Sequence, residues 1–81
     1  MEILLTIIKE KLNKYFSLYG YSRLPIVLSK DGKQEVILVY LQEDKLCLKF
    51  LKYRNKDYDY SLKDLQDIEY ILDARLEYYN L

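Results

Sequence analysis

Glu35–Arg54 reads EVILVYLQEDKLCLKFLKYR. Two apolar runs, Val36–Leu41 and Leu46–Leu51, flank the polar tetrapeptide Gln42-Glu43-Asp44-Lys45. Each run is of strand length, rich in Val, Ile, Tyr, Phe and Leu, and free of Gly and Pro, so the pair reads as a β-hairpin. In the second run Leu46, Leu48 and Phe50 alternate with Lys45, Cys47 and Lys49, which makes one face apolar and the other mostly polar. The first run does not alternate. Val36, Leu38 and Tyr40 share one face, while Ile37, Val39 and Leu41 share the other. A strand apolar on both faces is expected in the middle of a sheet, covered on both sides.

Working outward, Leu24–Ser29 (LPIVLS) precedes the hairpin as another strand, with Pro25 restricted to an edge or a strand start because it lacks a backbone donor. Lys30-Asp31-Gly32-Lys33 joins it to the next strand, and Asp-Gly between apolar runs is a strong hairpin turn signal. The spacing places the strands at about 24–29, 35–41 and 45–53, with the second central. Residues 2–19 form a helix in which Leu5, Ile8, Leu12, Tyr15 and Tyr19 recur at helical spacing, closed by Gly20. Ile3 and Ile7 widen its apolar arc. After the polar loop Asn55–Tyr60, Ser61 and Asp64 make a capping box for a second helix, with Tyr60 stapling onto Leu65 and an inward stripe of Leu65, Ile68, Leu72, Leu76 and Tyr79. The expected fold is α+β, a single domain over residues 1–81 in the order α-β-β-β-α: a three-stranded antiparallel β-meander packed with two helices. The helix stripes allow the helices to share one sheet face or to cover one face each.

The chain has 81 residues, 51% of them hydrophobic and 32% charged, which excludes disorder. A domain of this size buries roughly 64% of its unfolded surface, so its core is real but marginal. The formal net charge is zero, which argues against a generic polyanion binder. The charges are nevertheless polarised. Residues 1–56 hold 11 of the 13 Lys and Arg and 6 of the 13 acids, whereas residues 57–81 hold 2 bases and 7 acids. The acidic end is expected to fold against the basic part, or else to leave one basic and one acidic surface. Cys47 is alone, so no disulfide framework exists, and it is expected to act as a small half-buried hydrophobe. The amino end has neither a basic n-region nor a small-residue cleavage site, and its apolar patch is too short to span a membrane. A cytoplasmic location is the expectation.

Histidine is absent, which removes Ser-His-Asp and Cys-His triads, histidine-ligated zinc and the usual general base at neutral pH. One cysteine cannot make a thiolate metal site, and Gly20 and Gly32 are too far apart for a phosphate-cradling loop. No catalytic residue, metal or cofactor is therefore expected. Glu69, Asp73 and Glu77 follow one another at four-residue spacing on one helix face. They read as a solvated or internally paired face, or as a surface for a basic partner, with a divalent-metal or catalytic carboxylate cluster as a residual alternative. The ten tyrosines stand against two phenylalanines and no tryptophan. Tyrosine offers large contact area with a polar tip, so Tyr53, Tyr58 and Tyr60 around the loop before the second helix are candidate partner-binding residues, with Glu69, Asp73 and Glu77. Lys49, Lys52, Arg54 and Lys56, interleaved with Phe50, Tyr53 and Tyr58, are candidates for nucleic-acid contact. Lysines on the last strand of a small sheet also keep an edge from pairing with other chains.

Size, a Tyr/Lys/Ile-rich composition and the missing catalytic groups resemble the small accessory proteins of phages and mobile elements, among them inhibitors of host defence nucleases. That resemblance covers no motif. It implies a non-enzymatic binding or regulatory protein acting on a protein or nucleoprotein target. Direct nucleic-acid binding through the basic-aromatic strand and loop is the alternative. If both helices share one sheet face, Cys47, Leu51 and Tyr53 extend a bare apolar surface on the other, and a two-fold homodimer is the expected cover.

Overall fold

The computed structural model describes residues 2–53 and 56–79, with side chains through Glu77. Arg54 and the side chains of Tyr78 and Tyr79 lie outside the described residues. The order is α1 (Glu2–Tyr19), β1 (Arg23–Lys30), β2 (Lys33–Gln42), β3 (Lys45–Phe50) and α2 (Leu62–Tyr79). The strands form one antiparallel sheet, β1-β2-β3, with β2 central as its two-sided apolar pattern requires.

Both turns are two-residue loops with two residues in the left-handed region. Asp31 and Gly32 have φ of 52° and 76°, and Glu43 and Asp44 have φ of 52° and 62°. This geometry matches the right-handed twist of the flanking strands, and it sets the register by simple counting through each turn. Lys30 thus pairs with Lys33 and Arg23 with Tyr40, while Gln42 pairs with Lys45 and Leu38 with Lys49. The second turn contains no glycine, so two L-residues carry the steric cost of positive φ. Lys9 of α1 partly offsets that cost, its Nζ donating to the Asp44 carbonyl at 3.2 Å. Asp44→Gly is expected to stabilise the fold by about 0.5–1 kcal/mol, because the glycine relieves φ strain and only a solvent-exposed ion pair is lost. A urea midpoint that does not rise would contradict this.

The core lies on one face of the sheet. Leu24, Ile26 and Leu28 of β1, Ile37 and Val39 of β2, and Leu46 and Leu48 of β3 are all buried. They meet Ile8, Leu12 and Tyr15 of α1 and Leu65, Ile68, Leu72 and Leu76 of α2 in one cluster. The helices pack against each other, α1 toward β3 and α2 toward β1. Both therefore share a single face. The expectation that β2 would be covered on both sides is corrected: it is central, yet only its Ile37–Val39 side is buried. The total accessible surface, 5939 Å², exceeds the roughly 5,200 Å² that scaling gives for this mass, as an uncovered sheet face would make it.

β3 is shorter than the 45–53 expected. The chain bends after Phe50, although the Leu51 N–H still donates to the Val36 carbonyl at 3.0 Å. It then returns alongside β3: Tyr58 N–H donates to the Leu48 carbonyl at 2.8 Å, and Phe50 N–H to the Lys56 carbonyl at 3.2 Å. This return segment closes the β3 edge. The remaining free edge belongs to β1, where Pro25 removes one outward donor.

Gly20, at φ 69°, ends α1, its N–H donating to the Phe16 carbonyl at 2.8 Å. At the start of α2 the capping box forms as read. Ser61 N–H donates to Asp64 Oδ2 at 2.9 Å, and Asp64 N–H to Ser61 Oγ at 3.3 Å. Tyr60 packs against the cluster that contains Leu65. Ile3, by contrast, is 79% exposed, so the first turn of α1 projects an apolar side chain into solvent.

Candidate functional site

Strand alternation puts every second side chain of the sheet on the face away from the helices. In rows across the strands these are Val27, Val36 and Leu51, then Pro25, Leu38 and Lys49, then Arg23, Tyr40 and Cys47. Val27 is 52% exposed, Val36 41% and Leu51 46%. A patch of aliphatic side chains thus lies open on the sheet.

The three strands put charges of one sign on this face, and the returning segment brings the exposed Asp57 opposite Lys49. The strand positions supply Arg23, Lys45 and Lys49, the neutral Ser29, Gln34 and Gln42, and no carboxylate. None of the three cations takes part in the ion pairs found among the described residues, which join Lys9 to Asp44 and Lys11 to Glu69 and Asp73. Instead, two of them converge on one ring. The Arg23 guanidinium lies 5.8 Å from the Tyr40 centroid and the Lys49 ammonium 6.0 Å from it. Cation–π contacts of this kind hold a side chain in place but do not neutralise it. Arg23, Leu38, Tyr40, Lys49 and Leu51 surround a shallow concavity of about 690 Å³ over β2 and β3.

Other candidates named from the sequence fall elsewhere. Glu69 and Asp73 face α1, where Lys11 Nζ sits 3.2 Å from Glu69 Oε2 and 2.7 Å from Asp73 Oδ1. The hydrogen bond that Lys11 donates to Asp73 is the main cause of its raised pKa, with burial acting against it and Glu69 adding to it. These two carboxylates bridge the helices, and Glu77, one turn on, is exposed. Here the acidic end does fold against the basic part.

Tyr58 calls for a correction. Its place in the polar loop before α2 makes it a partner-binding candidate, yet it is 3% exposed and belongs to the core. The return pairing with β3 turns its ring inward, edge-on to Phe50 at 5.2 Å, while the Lys30 ammonium covers it at 4.6 Å. Its hydroxyl donates to Asp64 Oδ1 at 3.2 Å. Burial first, and then the Asp64 charge, pushes the Tyr58 pKa up to about 12. Tyr60 is half-buried. Tyr53 alone of the three is well exposed, 52%, standing edge-on to Phe50 with the Lys52 ammonium 5.7 Å from its ring. Lys52 and Lys56 are exposed beside it. Lys49 lies on the open face, Lys52 and Tyr53 just beyond its corner, and Lys56 on the returning segment.

At the end of α1, Tyr15 is buried in the core and Tyr21 is exposed beside it. Tyr15 and Tyr19 are 4.9 Å apart, Tyr21 is 6.2 Å from Tyr15, and Arg75 of α2 donates to the Tyr15 hydroxyl at 3.5 Å. Cys47 is half-buried on the open face. Among the described residues no group of three or more His, Cys, Asp or Glu could hold a metal ion, and no helix is long and apolar enough to cross a membrane. Arg23, Leu38 and Tyr40 are the site residues that sequence reading missed, although counting through the Asp31-Gly32 turn already makes Arg23 and Tyr40 neighbours. Comparison of the chain with protein-family models, curated proteins and solved structures finds no match.

Proposed function

We propose that this protein is a non-enzymatic binding module that docks through its open sheet face onto an acidic, apolar-bearing surface of a protein or nucleoprotein. One observation carries the reading: the strands place aliphatic side chains at the centre of this face and, around them, cations that join no ion pair among the described residues, with no carboxylate at a strand position. Stable interfaces combine an apolar centre with a charged rim, and complementary charge selects the partner. The sequence composition supports placing such a role among the small regulators carried by phages and mobile elements, inhibitors of defence nucleases included, with the cytoplasm as the compartment. A two-fold dimer through the same face would set Arg23, Lys45 and Lys49 of both copies against one another with Asp57 alone beside them as a counter-charge among the described residues, so a heterologous partner is favoured.

The second reading, direct nucleic-acid binding, draws on Lys49, Lys52 and the exposed ring of Tyr53. It is weaker, because an aliphatic patch gives bases little to stack on. The test is affinity capture from source-cell extract with wild type, Leu38→Glu on the open face and Glu77→Lys on the helix side. The expected result is a protein partner retained by wild type and Glu77→Lys, and reduced at least about tenfold by Leu38→Glu. Equal capture by all three overturns the face assignment. Capture abolished by nuclease treatment transfers the function to nucleic acid. A single species of twice the monomer mass in sedimentation equilibrium, lost in Leu38→Glu, reassigns the face to a second copy.

A further inference from the structure

On that reading of the open face, we infer that the concavity over β2 and β3 is a subsite for a carboxylate borne next to a bulky apolar side chain on the partner's polypeptide. The carboxylate lies between Arg23 and Lys49, and the apolar group rests on Leu38 and Leu51. Register creates the juxtaposition. Arg23 is the direct neighbour of Tyr40 across β1–β2, and Lys49 is the neighbour of Leu38 across β2–β3, so the cations flank the central strand from opposite sides. Both reach the same ring, at 5.8 Å and 6.0 Å. Two like charges gathered on one ring, neither in an ion pair among the described residues and with no acid lining the concavity, repel each other until an anion enters between them. Arginine can then grip a carboxylate with two parallel N–H donors, which lysine supplements as a point charge.

The remaining lining decides what kind of anion fits. Leu38 and Leu51, with Phe50 at the rim, form an apolar floor beside the cations. A phosphodiester is polar or charged on every side and leaves that floor wet. A glutamate or aspartate adjoining a leucine or phenylalanine satisfies both halves. The partner is thus an acidic protein segment, and nucleic acid is the outcome that the test must separate from it.

The probe is 4-phenylbutyrate, a minimal apolar carboxylate, titrated into the isotope-labelled full chain and followed by amide NMR. Its neutral amide, inorganic phosphate and an oligothymidylate are titrated in parallel. Saturable shifts are expected at Leu38, Tyr40, Lys49 and Leu51, with millimolar affinity fitting so small a ligand. The neutral amide should bind at least about threefold more weakly, and Arg23→Gln should weaken the acid about two- to fivefold, as partly solvated charge-assisted bonds do. Leu38→Glu should abolish the shifts while the rest of the spectrum keeps its dispersion. No saturation up to about 10 mM, equal binding of acid and amide, or shifts centred elsewhere would overturn the subsite. Phosphate saturating as well as phenylbutyrate, or oligothymidylate competing for the same residues, also overturns it and assigns the cations to phosphate. The two proposals fail separately. Capture lost in Leu38→Glu without phenylbutyrate binding removes the subsite alone, and phenylbutyrate binding with unchanged capture removes the docking role of the face.

Discussion

Ile37→Ala should destabilise the fold by about 2–4 kcal/mol, while Leu38→Ala, one residue on, should cost less than about 1 kcal/mol. The contrast follows from the one-sided sheet. Ile37 is 0% exposed and lies between Ile26 and Phe50, on the face that both helices cover. Truncating it removes buried methylene and methyl groups and leaves a cavity that strands on either side cannot collapse into. Leu38 faces away from the helices and is only half-buried, so its loss opens no enclosed cavity. For a chain of this length total stability is roughly 4–12 kcal/mol, so the first change takes a large share of it and the second little. Urea denaturation of both variants measures the difference. Comparable losses would mean that the second face is covered after all, by a self-association that dilution should then reverse. A small cost at Leu38 also makes Leu38→Glu a fair probe of binding, because the variant stays folded.

How much of this was legible in the sequence depends on how local the determining signal is. The helices, their ends and the strand order rest on periodicity, on Gly20 and on the Ser61/Asp64 cap, all of which act within a few residues. Asp31-Gly32 announces its turn outright, whereas Glu43-Asp44 adopts the same geometry without a glycine, so only the flanking apolar runs marked it. The central position of β2 followed from its pattern, but the inference that both faces are covered did not hold. Pattern reports which side chains are apolar and says nothing about what lies opposite them. Whether two amphipathic helices share a face is a question of tertiary packing, and Lys11 with Glu69 and Asp73 helps answer it by joining the helices across a sequence gap that no periodicity spans.

The candidate site divides in the same way. The bare face was anticipated as a consequence of one helix arrangement, and Lys49 was named for its charge. Arg23 fell just outside the strand read as Leu24–Ser29 and Tyr40 was read as a strand residue, and only register brings them together. Tyr58 failed in the opposite direction. Its place in the polar loop made it a binding candidate, but strand-like pairing with Leu48 and Phe50 sends alternate side chains to opposite faces, so the exposed Asp57 and Asp59 bracket a buried ring.

That buried ring makes the start of α2 the most vulnerable polar point in the molecule. Asp64, 6% exposed, accepts from Ser61 N–H and Ser61 Oγ on Oδ2 and from the Tyr58 hydroxyl on Oδ1. One carboxylate therefore both caps the helix and ties the returning segment to it. Asp64→Ala should cost about 2–4 kcal/mol: about 1 for the cap, and the rest for a phenol left buried without an acceptor. Tyr58→Phe, which keeps the ring and the cap, should cost only about 1–2 kcal/mol. The pair also predicts a pH signature. The folded Tyr58 pKa, pushed up to about 12, exceeds the ordinary 10, so between those values the folded state holds a proton that the unfolded chain has released. Stability from this group is thus complete below pH 10 and lost as pH rises through 12. Relative to Tyr58→Phe, wild type should lose about 1.4 kcal/mol between about pH 8 and about pH 11. Comparing the two proteins removes the titration of every other tyrosine and lysine, which both share. If their urea midpoints fall in parallel over that range, Tyr58 ionises as freely folded as unfolded, and the tie between the returning segment and α2 is open to water.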